Sequence, residues 1–271
     1  LKTISDEELR SINFAIFSRY GLDFANYEPS SLKRRIVRII HKYELDGVLG
    51  LWKKLLYDPE FILKFKDEVS VGLTEMFRNA EVWVNLRDEV IPRFNRRNIN
   101  IWHAGCSTGE EVYTMAIVLH EMGLLQNAKG LATDLSDRFI LSSAAGQYEV
   151  DLLNRYEINY KAYNPAGVFS NYFHVEGKNG TMRNVLKQYA TFKQDNLIHS
   201  NVNEKFDIIF CRNVMIYFNE ELKMKLLDKF YNQLADDGVF IIGYFDAMPL
   251  SYDAYFEYYD SKYKFFKKRA L

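Results

Sequence analysis

The sequence predicts an α/β protein: an all-helical N-terminal domain over residues 1–82, then a domain over 83–271 built on a largely parallel sheet, with a small β-subdomain inserted at about 160–185. Three observations carry this expectation. Apolar residues recur at helical spacing through the first 82 positions, with no period-2 strand pattern among them. From about residue 99, short apolar runs alternate with helical stretches, as a parallel sheet with crossover helices requires. The stretch from Tyr160 to Gly180 fits neither texture, holding Pro165, three glycines and many aromatics but only short apolar runs.

Taken in order, Gly21, Pro29, Gly47, Gly50, Pro59 and Gly72 stand where N-terminal helices would end. NINIWHAG (98–105) reads as a buried strand and EEVYTMAIVLHEMG (110–123) as the helix after it. AKGLATD (128–134) is a second strand, followed by a helix over SDRFILSSAAGQY (136–148). LKQYATFKQ (186–194) has strand character, and FDIIFCR (206–212) is a strand buried on both faces. A long helix is expected over 219–238, ending at Gly238, with VFIIGYF (239–245) and the aromatic tail 255–269 completing the sheet.

With 271 residues, 48% hydrophobic and 26% charged, the composition excludes disorder, collagen and coiled coil. A chain of this size buries enough surface to fold without metal or disulfide. Cys106 and Cys211 are too few for a cysteine zinc site and sit among apolar neighbours, so buried thiols in a reducing compartment are expected. No segment has the length and composition of a signal peptide or membrane span, so a cytoplasmic monomer without membrane insertion is the expectation. Net charge is −1, which gives the whole molecule no field to gather nucleic acid. Charge is concentrated locally: Lys33, Arg34, Arg35, Arg38 and Lys42 occur with no acid between them. Leu32, Ile36, Ile39, Ile40 and Tyr43 fall on one face of that helix and Arg34, Arg35, Arg38 and Lys42 on the other. Such a stripe favours an acidic partner surface over the alternative of an ordinary solvated face.

The window HAGCSTGEEVY (103–113) follows a strand and opens a helix. Gly105 and Gly109 permit close backbone approach to a ligand, and free N–H groups at the helix start bind polar atoms. Glu110 and Glu111 directly after the turn would repel phosphate but suit a cationic, phosphate-free ligand such as S-adenosylmethionine; a tight turn with no ligand fits the same residues. Asp134 ends the next strand at the carboxyl edge, where an acid can accept two ribose hydroxyls, or serve as a helix cap as Ser136 could. After FDIIFC the polar pair Arg212 and Asn213 projects from the end of a central strand, followed by Tyr217 and Phe218; this marks a site, unless Asn213 merely closes a turn.

TEMFR (74–78), AGCSTGEEVYTMAI (104–117), ATDLS (132–136), DNL (195–197) and FDIIFCRNVMIYF (206–218) are, in order and spacing, similar to the successive motifs of the CheR family, the methyltransferases of bacterial chemoreceptors. The resemblance spans nearly the whole chain. It implies an N-terminal helical domain before a Rossmann-like class I methyltransferase domain with a small β-subdomain, and transfer of methyl from S-adenosylmethionine to receptor glutamates, giving glutamyl methyl esters and S-adenosylhomocysteine. By motif, Thr74 and Arg78 resemble residues reaching the cofactor from the domain junction, Glu111 the acid at its methionine part and Asp134 the ribose acid. Asn196 and Leu197 resemble the adenine contacts, and Asn213 and Val214 sit where the family holds cofactor beside the transfer centre.

A substrate glutamate is already ionised near pH 7, so neither general base nor metal is needed. A cation or hydroxyl that orients it is: Arg78 and Tyr217 first, Arg212 third, although either arginine would also serve as an ion pair between the domains. The family's basic N-terminal helix meets acidic receptor helices, which implies Arg34, Arg35, Arg38 and Lys42 as receptor-binding residues and a chemoreceptor cytoplasmic domain as partner. The chain departs from the family at Gly72, which stands for an Asn, at Met76 for a Phe and at Ser136 for an acid. It departs again at Gly243-Tyr244-Phe245-Asp246, which stands for G-x-S-E and changes access to the substrate. Two other readings remain at this stage: a methyltransferase acting on nucleic acid or a small molecule, and a noncatalytic relative that binds S-adenosylmethionine or a signalling ligand.

Overall fold

The structure, a computed structural model, describes residues 4–69, 74–94, 98–200, 202–249 and 251–269. Four helices form the N-terminal bundle: α1 (Asp6–Tyr20), α2 (Pro29–Lys42), α3 (Gly47–Tyr57) and α4 (Phe61–Val69). Their apolar stripes close on a core that includes Ile12, Ile16, Leu32, Ile36, Ile39, Leu51, Phe61 and Phe65. The Ser5 and Glu8 pair caps α1 reciprocally, and Gly21 ends it in the left-handed region at φ 66°. Helix α5 (Ala80–Asn85) continues through a π turn and a 3₁₀ turn to Phe94, leading into the sheet.

The second domain alternates β1 (Ile99–Ala104), α6 (Glu110–Glu121), β2 (Ala128–Asp134), α7 (Asp137–Ala145), β3 (Gln147–Glu149), α8 (Val150–Tyr163), β4 (Phe173–Glu176), β5 (Asn179–Met182), α9 (Asn184–Lys187), β6 (Ala190–Gln194), β7 (Phe206–Cys211), α10 (Glu220–Gln233), β8 (Leu234–Ile242), β9 (Phe256–Asp260) and β10 (Phe265–Lys268). The seven-stranded sheet runs β6-β2-β1-β7-β8-β10-β9. Pairing is parallel from β6 to β8, and β10 is antiparallel to both its neighbours. Strand order reverses between β1 and β7, which opens a crevice at their carboxyl ends. All six residues of β7 are buried, so an apolar run without alternation is what this central position demands.

A separate antiparallel sheet, β3-β5-β4, forms the small subdomain. Its first strand lies ahead of the stretch singled out by sequence, within the span read as the end of a helix over 136–148. Helix α7 ends at Ala145 because Gly146 takes a left-handed C-cap at φ 60°, freeing 147–149 to pair with 179–181. The helix expected to reach Gly238 stops at Gln233. Leu234 is fully buried and pairs with Phe206, and the register then slips so that Val239 faces Ile208. Among the described residues no helix is long and apolar enough to cross a membrane.

The bundle is fastened to the α/β domain beside the crevice. Glu28 N–H donates to the Tyr217 carbonyl at 2.8 Å and Asn219 N–H to the Asn26 carbonyl at 2.9 Å. Lys66 pairs with Asp137 at 2.9 Å, and the Ser136 hydroxyl donates to the Asp67 carboxylate.

Candidate cofactor cleft

A cavity of about 270 Å³ lies at the carboxyl ends of β1, β2 and β7, walled on its other side by α2 and by residues 74–78. The turn after β1 places Gly105 at φ 84°, where a Cβ would stand 2.5 Å from Val214 Cγ2, so no larger residue fits without displacing the turn after β7. Gly105 and Cys106 both donate their N–H to the Thr133 carbonyl, at 2.8 and 2.9 Å, tying that turn to the end of β2. Phe77, Asn79, Ser107 and Asn213, none of them glycine, also hold positive φ, and all four belong to segments around this cavity.

Asp134 takes the Ser107 N–H at 2.9 Å and the Ser136 N–H at 3.0 Å. Burial raises its carboxyl above the ordinary range, against the pull of these backbone donors. The Ser107 hydroxyl beside it is buried without a hydrogen-bond partner, a polar atom whose bond a ligand would complete. Glu111 receives Arg212 Nη1 at 3.5 Å and faces His103 Nδ1 at 3.1 Å. Arg212 also donates to the Arg78 carbonyl at 3.2 Å and to Asn79 Oδ1 at 3.1 Å, so it braces the 74–79 segment against β7. Burial lowers Arg212 from its ordinary value, opposed chiefly by Glu111.

The cleft gathers residues that lie far apart in sequence. Thr74, Arg78, Gly105, Glu111, Asp134, Asn196, Leu197, Arg212, Asn213, Val214 and Tyr217 all line it. The Glu111 and Asp134 carboxylates, the unpartnered Ser107 hydroxyl and the glycine turn suit a ligand carrying ammonium and ribose hydroxyl groups, so the donor set fits S-adenosylmethionine.

Arg35 requires a correction. Sequence periodicity set it on a solvent face with Arg34, Arg38 and Lys42, whereas it is only 7% exposed and lines the cleft. Its guanidinium lies 3.9 Å from the Tyr217 ring centroid and donates to the Val69 carbonyl. The second domain covers this edge of α2, which the pattern of one helix cannot register. Arg34, Arg38 and Lys42 are exposed, but two of them also have partners in the chain: Arg38 donates to the Glu68 carbonyl at 3.0 Å and Lys42 pairs with the Glu68 carboxylate. Positive charge at the C-terminal end of α4 favours the helix dipole.

Several site residues were not anticipated. Asp246 is fully buried and accepts the N–H groups of Asn213, of Gly243 at 2.7 Å and of Ile216 at 3.0 Å, fixing the turn that holds Asn213 at φ 59°. Gly243 is required there because a Cβ would meet Asn213 N at 2.6 Å. His103, behind Glu111, has one signal in the sequence, an imidazole near the end of a largely apolar strand. Of the departures from the family pattern, Gly72 lies outside the described residues. Met76 is fully buried, Ser136 joins Asp67 as above, and Phe245 stands 70% exposed at the cleft rim.

A doubly wound sheet with this cleft at its switch point, closed by a helical domain, defines a class I S-adenosylmethionine-dependent methyltransferase. The model described as CheR methyltransferase, SAM binding domain, matches residues 72–265, and that described as CheR methyltransferase, all-alpha domain, matches 7–70. The chain belongs to the CheR methyltransferase family. Cher3 of Pseudomonas putida is 33% identical over 248 residues, covering 91% of each chain. A chemotaxis protein methyltransferase of Listeria innocua is 30% identical over 229 residues, 82% of this chain and 83% of its own. One of Borreliella burgdorferi is 30% identical over 263 residues, 90% and 89%.

Proposed function

We propose that the protein methylates glutamate side chains on the cytoplasmic helices of chemoreceptors, forming glutamyl methyl esters. The relatives named chemotaxis protein methyltransferase support a chemotactic substrate. The observation that carries the reading is Arg35 stacked on Tyr217 in the wall of the cleft, a cation and a phenol contributed by different domains to one space. When bound, S-adenosylmethionine supplies an electrophilic methyl on a sulfonium that leaves as the thioether of S-adenosylhomocysteine. Asp134 would accept ribose hydroxyls and Glu111 the methionine ammonium, with Asn196 and Leu197 along the adenine and Thr74, Arg78, Gly105, Asn213 and Val214 completing the enclosure.

An ionised substrate carboxylate needs no base, so these side chains mainly align it. Tyr217 donates to one carboxylate oxygen, leaving the other free to attack, and Arg35 and Arg78 offset the charge of the incoming acid. Arg212, its two terminal nitrogens engaged by Glu111 and the 78–79 segment, holds the wall in place. Tyr217→Phe should lower kcat on a receptor cytoplasmic fragment about tenfold or more, while S-adenosylhomocysteine binds with parental affinity. An unchanged kcat would remove the hydroxyl from the reaction.

A further inference from the structure

Strand β1 is buried on both faces, and His103 within it is fully buried. An imidazole there is tolerated only if its polar atoms are paired. Both are: Nδ1 lies 3.1 Å from Glu111 Oε1 and Nε2 lies 3.1 Å from the Tyr189 hydroxyl. The ring is stacked on Phe210 of β7, centroids 4.9 Å apart and planes within 4°, so it cannot swing. An ionised carboxylate only accepts, so Nδ1 carries the proton towards Glu111 and Nε2 accepts from Tyr189. Burial raises Tyr189 well above its ordinary value, which keeps that hydroxyl protonated. Tyr189, His103 and Glu111 thus form a directed chain, of which only Glu111 lines the cleft.

We infer that His103 is a positioning residue for the amino-acid end of the cofactor, acting through Glu111. Glu111 is the second residue of α6, in its first turn, where its side chain would otherwise sample several rotamers. His103 fixes one oxygen and Arg212 faces the other, so the remaining lone pairs have one orientation towards the cleft. Tyr189 fixes the tautomer of His103 in turn. This inference rests on the reading that Glu111 meets the methionine ammonium. It predicts that damage to His103 is felt by that part of the ligand alone.

The test compares two ligands by calorimetry. S-adenosylhomocysteine carries the amino-acid part, whereas 5′-methylthioadenosine has the same adenine and ribose without it. His103→Phe should weaken S-adenosylhomocysteine about tenfold and methylthioadenosine less than about twofold. His103→Asn, which keeps a donor near Nδ1, should restore most of the loss. Combined with Glu111→Gln, His103→Phe should add little further loss, because both remove the same interaction. Equal weakening of both ligands, no weakening of either, or a full additional loss in the double variant would overturn the inference. A Glu111→Gln variant that leaves the ratio of the two affinities unchanged would instead overturn the assignment of Glu111. Tyr189→Phe supplies the second perturbation if His103→Phe does not fold: it should weaken S-adenosylhomocysteine selectively by about threefold, and an unselective effect contradicts the chain.

Discussion

Replacing Gly105 by alanine puts the geometry of the cleft to a quantitative trial. Two costs are expected. The left-handed backbone at φ 84° disfavours any Cβ by about 1–2 kcal/mol. The new methyl would stand 2.5 Å from Val214 Cγ2, with Cγ1 and Cβ at 3.5 and 3.6 Å, and such overpacking costs about 1–3 kcal/mol. Gly105→Ala should therefore lose about 2–5 kcal/mol in urea unfolding and weaken S-adenosylhomocysteine, since Val214 belongs to the turn that Asp246 pins. Val214→Ala in the same background removes the obstructing methyls but not the backbone strain. The double variant should recover about 1–3 kcal/mol relative to the sum of the single changes, leaving a residue of about 1–2 kcal/mol. Strict additivity, or a cost below about 0.5 kcal/mol for Gly105→Ala, would refute the claim that the two turns touch here.

Burial raises Glu110 from 4.5 to about 7, against bonds from the Thr108 and Tyr156 hydroxyls. Between those values the folded state holds a proton that the unfolded state has lost, so stability falls as pH rises through that window, by on the order of 3 kcal/mol, and levels above it; Glu110→Gln should flatten the slope between urea midpoints at pH 5 and pH 8. Reversing Arg34 and Arg38 to glutamate should slow methylation of a receptor fragment about tenfold at low ionic strength with S-adenosylhomocysteine affinity intact, whereas equal rates would mean the stripe serves only the end of α4. Phe245→Ser should leave the unfolding free energy within about 0.5 kcal/mol, because the ring is 70% exposed, and raise KM for the receptor fragment; an unchanged KM would exclude the ring from substrate contact.

What was legible in the sequence is what depends on local pattern. The run AKGLATD coincides with β2, because a short apolar segment between polar turns has few alternatives. The glycine turn, Asp134 and the Arg212-Asn213 break meet in one cleft because all lie at strand ends on one edge of the sheet. The features missed depend on partners distant in sequence. Arg35 borders the apolar stripe of α2, and only the packed second domain decides that it is buried. Asp246 looks like a rim residue until its three backbone donors, at 213, 216 and 243, are in place. His103 draws its meaning from Tyr189, on the far side of two intervening crossovers. Strand β3 is three residues long, too short to show a period, and Leu-Ala-Asp-Asp continues the composition of α10 although Leu234 already belongs to the sheet.

The identity of the methyl acceptor decides what the protein does. A receptor cytoplasmic fragment incubated with the protein and trideuteromethyl-labelled S-adenosylmethionine, then mapped by peptide mass spectrometry before and after mild base, tests it most directly. Labelled methyl on glutamate side chains, released by base, accumulating about tenfold or more slowly with Tyr217→Phe and absent without the protein, is the predicted result. Label on nitrogen or stable to base, or no label on the fragment while S-adenosylhomocysteine binds at one equivalent per chain, would contradict it.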